Sequence, residues 1–153
     1  METAHQKSLA RPEVNRLCRD RIAKLDPETV PLWGTMTAAQ MMAHCGEVLE
    51  VAGGRELRGS PWYFKLLMPL VRRVVMGRKP FAHGMQTHPQ YRQVEKRDFE
   101  REKVRLLAAV AAFEHLCADA THVEHPFFGK MTVADMGWGM YKHLDHHLKQ
   151  FGI

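Results

Sequence analysis

Cysteine is scarce in this chain of 153 residues, and the three present, Cys18, Cys45 and Cys117, form no CxxC pair and no finger-like spacing. An odd, scattered set argues against both a disulfide framework and a structural zinc knot, and fits a reducing cytoplasm. Long apolar runs are also lacking. The N-terminus, METAHQKSLARPEV, has no signal-peptide core, and the best apolar candidate, PWYFKLLMPLVRRVVMG, is interrupted by Lys65, Pro69, Arg72 and Arg73. No transmembrane segment is therefore expected, and that stretch reads as a partly buried crossover rather than a helix lying on a membrane. Nor is there a basic stripe. The formal charge of +5 is spread along the chain, so no nucleic-acid partner is expected.

What is present is ordinary for one globular domain over residues 1–153: 45% hydrophobic and 25% charged residues. The periodicity is helical, without a convincing alternating strand. Pro12 suits a first helical turn, Val14, Leu17, Cys18 and Leu25 recur at helical spacing, and Asp26-Pro27 ends helix one. Helix two, MTAAQMMAHCGEVLEVA, puts Met41, Cys45, Val48 and Ala52 on one face and stops at Gly53-Gly54. Residues 53–92, rich in Gly, Pro and aromatics with a helical piece near 62–76, read as a long crossover that covers a site or spans a bundle. Asp98 is placed to cap helix three, whose stripe is Phe99, Leu106, Val110, Phe113 and Cys117. Helix four runs from about Thr132 to the C-terminal YKHLDHHLKQFGI.

Helices two and four begin alike: WGTMTAAQM at 33–41 aligns without gaps with FGKMTVADM at 128–136. Thr37 and Thr132 are N-caps by position, Gln40 and Asp135 stand where a capping box reaches back, and Met36/Met41 and Met131/Met136 stand at staple positions. The echo suggests a pseudo-symmetric bundle in which each of the two helices delivers a histidine. At 100° per residue, helix four faces inward with Met140, Leu144 and Phe151; His147 falls within that face and His143 at its edge, while His146 falls toward Lys142 and Lys149. His44 on helix two has the same angular offset as His143.

Histidines four apart on a helix stand roughly 6 Å apart at Cβ and can converge on one metal ion. With His44 from a facing helix they make three neutral nitrogen donors that leave coordination positions open, the pattern of a catalytic site. The alternative is a set of satisfied core histidines. Glu47, one turn past His44, is a candidate general base or else a solvated surface residue. Gln40 and Gln150 are candidates to orient a ligand's second nitrogen, or ordinary surface amides. Cys45, at the centre of the apolar face, reads as a buried hydrophobe and Asp145 as a surface or helix-pairing residue. His83, His88, Trp62, Tyr63 and Phe64 of the crossover are candidates to reach the pocket.

VPLWGTMTAAQMMAH, with HPFFGKMTVADMGWGMYKHLDHHLKQFGI at the other end, resembles the DUF1569 family within the DinB/YfiT-like superfamily. The resemblance spans nearly the whole chain and is most specific from His125-Pro126 to Gln150-Phe151-Gly152. It implies an all-α four-helix bundle, up-down-down-up, whose parallel helices two and three need the long crossover. It also implies a divalent metal, zinc, nickel or iron, held by His44, His143 and His147. Relatives include transferases that use low-molecular-weight thiols such as mycothiol or bacillithiol, and maleylpyruvate isomerase. The resemblance thus implies a small-molecule substrate, handled by thiol-dependent S-transfer or by hydrolysis. The alternatives are a non-catalytic metal-stabilised or ligand-binding bundle, and a partner-binding subunit docking through PWYFKLLMPLVRRVV. A homodimer paired through a helix face fits each of these.

Overall fold

The computed structural model describes residues 7–60, 62–116 and 120–153. Cys117, assigned above to the stripe of helix three, lies outside them. The described chain is mostly helical: α1 (Pro12–Ala23), α2 (Ala38–Ala52), α3 (Phe64–Met76), α4 (Phe99–Leu116) and α5 (Val133–Gln150), with a 3₁₀ turn at Pro89–Tyr91. The third and fourth helices read from sequence are thus α4 and α5, and the helical piece of the crossover is α3.

Each helix begins for a local reason. Pro12 opens α1. Thr37 caps α2 with both halves of a capping box, its hydroxyl accepting from Gln40 N (3.2 Å) while Gln40 Oε1 accepts from Thr37 N (2.9 Å). Asp98 Oδ1 accepts from Arg101 N (2.8 Å) at the start of α4, and Thr132 Oγ1 from Asp135 N (3.0 Å) at the start of α5. The echoed sequences therefore share a threonine cap and a left-handed glycine after each aromatic, Gly34 and Gly129 having positive φ of 79° and 68°, although only Gly129–Thr132 goes on as a strand.

Helix α2 is buried nearly all round, because α4 and α5 both pack on it; α4 also packs on α1, and α5 on α1 and α3. Met41, Cys45, Leu106, Val110, Met136, Leu144 and Leu148 meet in this core with almost no exposure. The face expected of α1 shifts slightly: Leu17 is 55% exposed, while Ile22 and Asn15 turn inward. Asn15 is tolerated there because its Nδ2 donates to the carbonyls of Val110 (2.6 Å) and Leu9 (3.2 Å).

One expectation is corrected. Residues His122–His125 and Gly129–Thr132 form an antiparallel hairpin, β1 and β2, with His122 opposite Thr132 and His125 opposite Gly129. Strands of four residues are too short to display period-two patterning, and the closing turn carries Pro126, two phenylalanines and the positive-φ Gly129 instead of Asn-Gly.

Candidate metal centre and cavity

A cavity of about 560 Å³ opens beside α2 and α5, walled by α3, the crossover and the hairpin. Both echoed segments reach it, Trp33 to Met36 from one side and Phe128, with Phe127 before it, from the other. His44, His143 and His147 line it together, and one ring nitrogen from each lies within 4.8 Å of the other two.

The hydrogen bonds around these rings decide which nitrogen is available. His44 is 5% exposed, and its Nδ1 stands 2.8 Å from the carbonyl of Tyr91. A carbonyl only accepts, so Nδ1 carries the proton and Nε2 a lone pair. His147 Nδ1 lies 2.8 Å from Gln150 Oε1, and Gln150 Nε2 donates to the carbonyl of Trp33 (2.7 Å), which fixes the amide's orientation. His147 is therefore also an Nδ1–H tautomer with a free Nε2. His143 Nε2 faces His44 Nε2 at 2.9 Å. Burial lowers the pKa of all three; in His143 the charges of His147, His44 and His146 lower it further, and His147 falls to about 3. Three rings held neutral, two of them with a bare Nε2 and each with a ring nitrogen within 4.8 Å of the others, offer what a divalent cation requires of imidazole ligands. The residues fit the group.

The remaining candidates fall into place around this cluster. Gln150 orients His147, whereas Gln40 is committed to the capping box and to the carbonyl of Glu95 (3.1 Å). Glu47 is not among the residues lining the cavity. Its carboxylate accepts from Arg105 (2.7 Å), Arg55 (2.8 Å) and Gln90 (2.8 Å). Burial pushes that carboxyl up, but the bonds from Gln90 and Arg105 and the arginine charges outweigh it, leaving the group below the usual carboxylate range. Cys45 is fully buried, which raises its thiol pKa, and Asp145 pairs α5 with α1 through Arg21 (2.7 Å).

His146 is a second correction. It lines the cavity, with its ring 5.7 Å from both Trp33 and Phe81 and 5.1 Å from His147. Of the flank that looked solvent-facing in projection, the part at Lys142 and His146 is covered by the crossover and α3, while Lys149 stays exposed. Lys142, on that flank, is 6% exposed, donates to the carbonyls of Val74 (2.8 Å) and Gly77 (2.7 Å), and sits over the Phe81 ring. Of the crossover candidates, Phe64 and His88 reach the cavity. Trp62 and Tyr63 are exposed, and His83 stacks on Trp33 with centroids 4.0 Å apart.

Sequence reasoning missed His125, which lines the cavity at 3% exposure with Phe127 and Phe128 beside it. The available signal was its place at the head of the most specific phrase of the resemblance.

Comparison with known proteins agrees with this architecture. The family model of the DinB superfamily matches residues 13–151. No curated protein and no solved structure matches the chain. With the match extending from the first turn of α1 to the residue after α5, the chain belongs to the DinB superfamily.

Proposed function

We propose that this chain is a divalent-metal enzyme, placed in DUF1569 within its superfamily, acting on a small and largely apolar molecule by thiol-dependent S-transfer or by hydrolysis. His44, His143 and His147 hold one zinc, nickel or iron ion through Nε2. The observation that carries the reading is the convergence of these nitrogens in a cavity, with Nδ1 of His44 and of His147 already bound to an acceptor. The metal, when bound, supplies Lewis acidity at the positions three histidines leave open, enough to lower the pKa of a thiol or of water.

The chain's own residues do the rest. Tyr91 O and Gln150 Oε1 hold their imidazoles in register, which increases ligand basicity. Glu47 acts as an anchor: through Gln90 it ties down the turn whose Tyr91 carbonyl orients His44. Phe81, Val71 and Val75 give the crossover side of the cavity an apolar lining.

Metal analysis of the purified chain and of His44→Ala, His143→Ala and His147→Ala variants tests the site. We expect one ion per chain, lost in each variant. A folded wild-type protein that takes up no zinc, nickel or iron would sink the proposal. Screening the loaded protein with thiol and electrophile pairs, and with small esters and amides, then separates transfer from hydrolysis; metal that raises Tm without any turnover would favour the non-catalytic bundle.

A further inference from the structure

The cavity has a second polar feature apart from the three histidines. His125 Nδ1 accepts from the backbone N–H of Phe127 (3.0 Å) and of Phe128 (3.3 Å). Two donors on one ring nitrogen require a lone pair there, so in the neutral ring the proton is on Nε2. Burial lowers the pKa of this ring to about 4, which keeps it neutral near pH 7.

No protein acceptor meets Nε2 among the described residues. A buried histidine with a purely structural task satisfies both nitrogens, as the neighbouring His88 does: its Nδ1 accepts from Gln90 N (3.2 Å), and its Nε2 lies 3.0 Å from Ser60 Oγ. His125 leaves one strong donor for whatever occupies the cavity it lines.

Around it the wall is aromatic. His125 lies 4.8 Å from the Phe128 ring, Phe128 5.0 Å from Phe127, and Phe127 6.0 Å from Phe64, with Tyr91 continuing the wall past His88. Such a wall favours a flat apolar body through edge and face contacts. A neutral N–H set within it favours an oxygen acceptor over a bare hydrocarbon, without requiring a full negative charge.

We infer that His125 is a substrate-positioning residue whose Nε2–H receives the carbonyl or similar oxygen of an aromatic ligand bound in the cavity. This rests on the reading of the cavity as the substrate site. The donor sets which molecules bind well and how they are turned relative to the three histidines, because a ligand lacking the oxygen covers Nε2–H with apolar surface and leaves it unpaired.

Acetophenone and ethylbenzene, matched in size and differing in the carbonyl, are the probes. Binding to the full chain is followed by NMR titration, before and after chelator treatment, so that a metal cannot account for a preference for the ketone. In wild type, acetophenone binds about tenfold more tightly than ethylbenzene. His125→Phe brings the ratio close to one, His125→Gln retains part of it through its amide donor, and ring ¹⁵N shifts of wild type report a proton on Nε2. An unchanged ratio in His125→Phe, a proton on Nδ1, or no binding of either probe at millimolar concentration would overturn the inference. Metal content distinguishes it from the reading above: a ratio that depends on His125 in a protein unable to bind metal removes the metal site and leaves this donor standing, and intact metal loading with an unchanged ratio does the reverse.

Discussion

Four histidines of the cavity come in two orientations. His44 and His147 point Nδ1–H at acceptors, Tyr91 O and Gln150 Oε1, and present bare Nε2 atoms to a common point. His88 and His125 do the opposite, accepting backbone N–H groups at Nδ1 and keeping the proton on Nε2. The same side chain thus presents a bare nitrogen in one wall and an N–H in the other, and the choice is made by what meets Nδ1. In the first group that is an oxygen acceptor; in the second it is the backbone of a turn, Pro89–Tyr91 for His88 and the hairpin loop for His125. The difference teaches that counting histidines near a pocket says little until the far nitrogen of each ring is accounted for.

The largest expected effect comes from removing a ring of the first group. His147→Ala takes away one of three nitrogens and should weaken metal binding by at least about a hundredfold, read by competition with a chromophoric chelator. His88→Ala, from the second group, removes no nitrogen from the cluster and only the cap of the turn that carries Tyr91, so it should weaken metal binding far less than His147→Ala while lowering Tm. Equal losses in the two variants would erase the distinction.

A pH titration of stability tests one ring of the second group. His125 has a folded pKa of about 4, against about 6.5 when unfolded. Between these values the unfolded chain holds a proton that the folded chain does not, so stability is fully present above about pH 6.5 and declines as pH falls toward 4. The difference of about 2.5 units corresponds to roughly 3 kcal/mol from this one ring. Denaturant unfolding of His125→Phe across this range should show a shallower acid slope than wild type by about one proton; parallel slopes would mean the ring is not held neutral.

Smaller again is Gln150→Leu, which keeps all three ligand rings and removes only the acceptor for His147 Nδ1. A loss of about ten- to a hundredfold in metal affinity is expected, with the fold intact by circular dichroism. Gln40→Leu is the matched control: it stands at the same relative flank in sequence, but its amide serves the α2 cap and should leave metal affinity unchanged.

These contrasts show what could be read from residue order and what could not. The bundle helices were legible because their apolar faces repeat over three or more turns, and the His143-x-x-x-His147 pair because a helix makes its geometry local. His146 was misplaced because projection of a single helix is blind to a neighbour covering its flank, here the crossover with Trp33 and Phe81. The hairpin escaped notice because two four-residue strands have no room for a period. His125 was hidden with it, since its tautomer depends on backbone amides two and three residues onward that a linear reading does not aim at the ring.

The two helix starts offer the finest comparison, because equal sequence spacing there ends in unequal bonding. Thr37 and Thr132 each accept from the backbone of the third helical residue, so Thr→Ala at either should cost about 1 kcal/mol. The residues meant to reach back differ: Gln40 bonds both Thr37 N and the carbonyl of Glu95, whereas at Asp135 only the backbone N–H bonds the cap. Gln40→Ala should therefore cost about 1 kcal/mol through two lost hydrogen bonds. Asp135→Ala should cost only about 0.3–1 kcal/mol, the worth of a carboxylate near a helix N-terminus, and that cost should fade in high salt while the Gln40 cost does not. Denaturant unfolding at low and high ionic strength reads both, and a salt-independent loss at Asp135 would show that the second start completes its box as the first does.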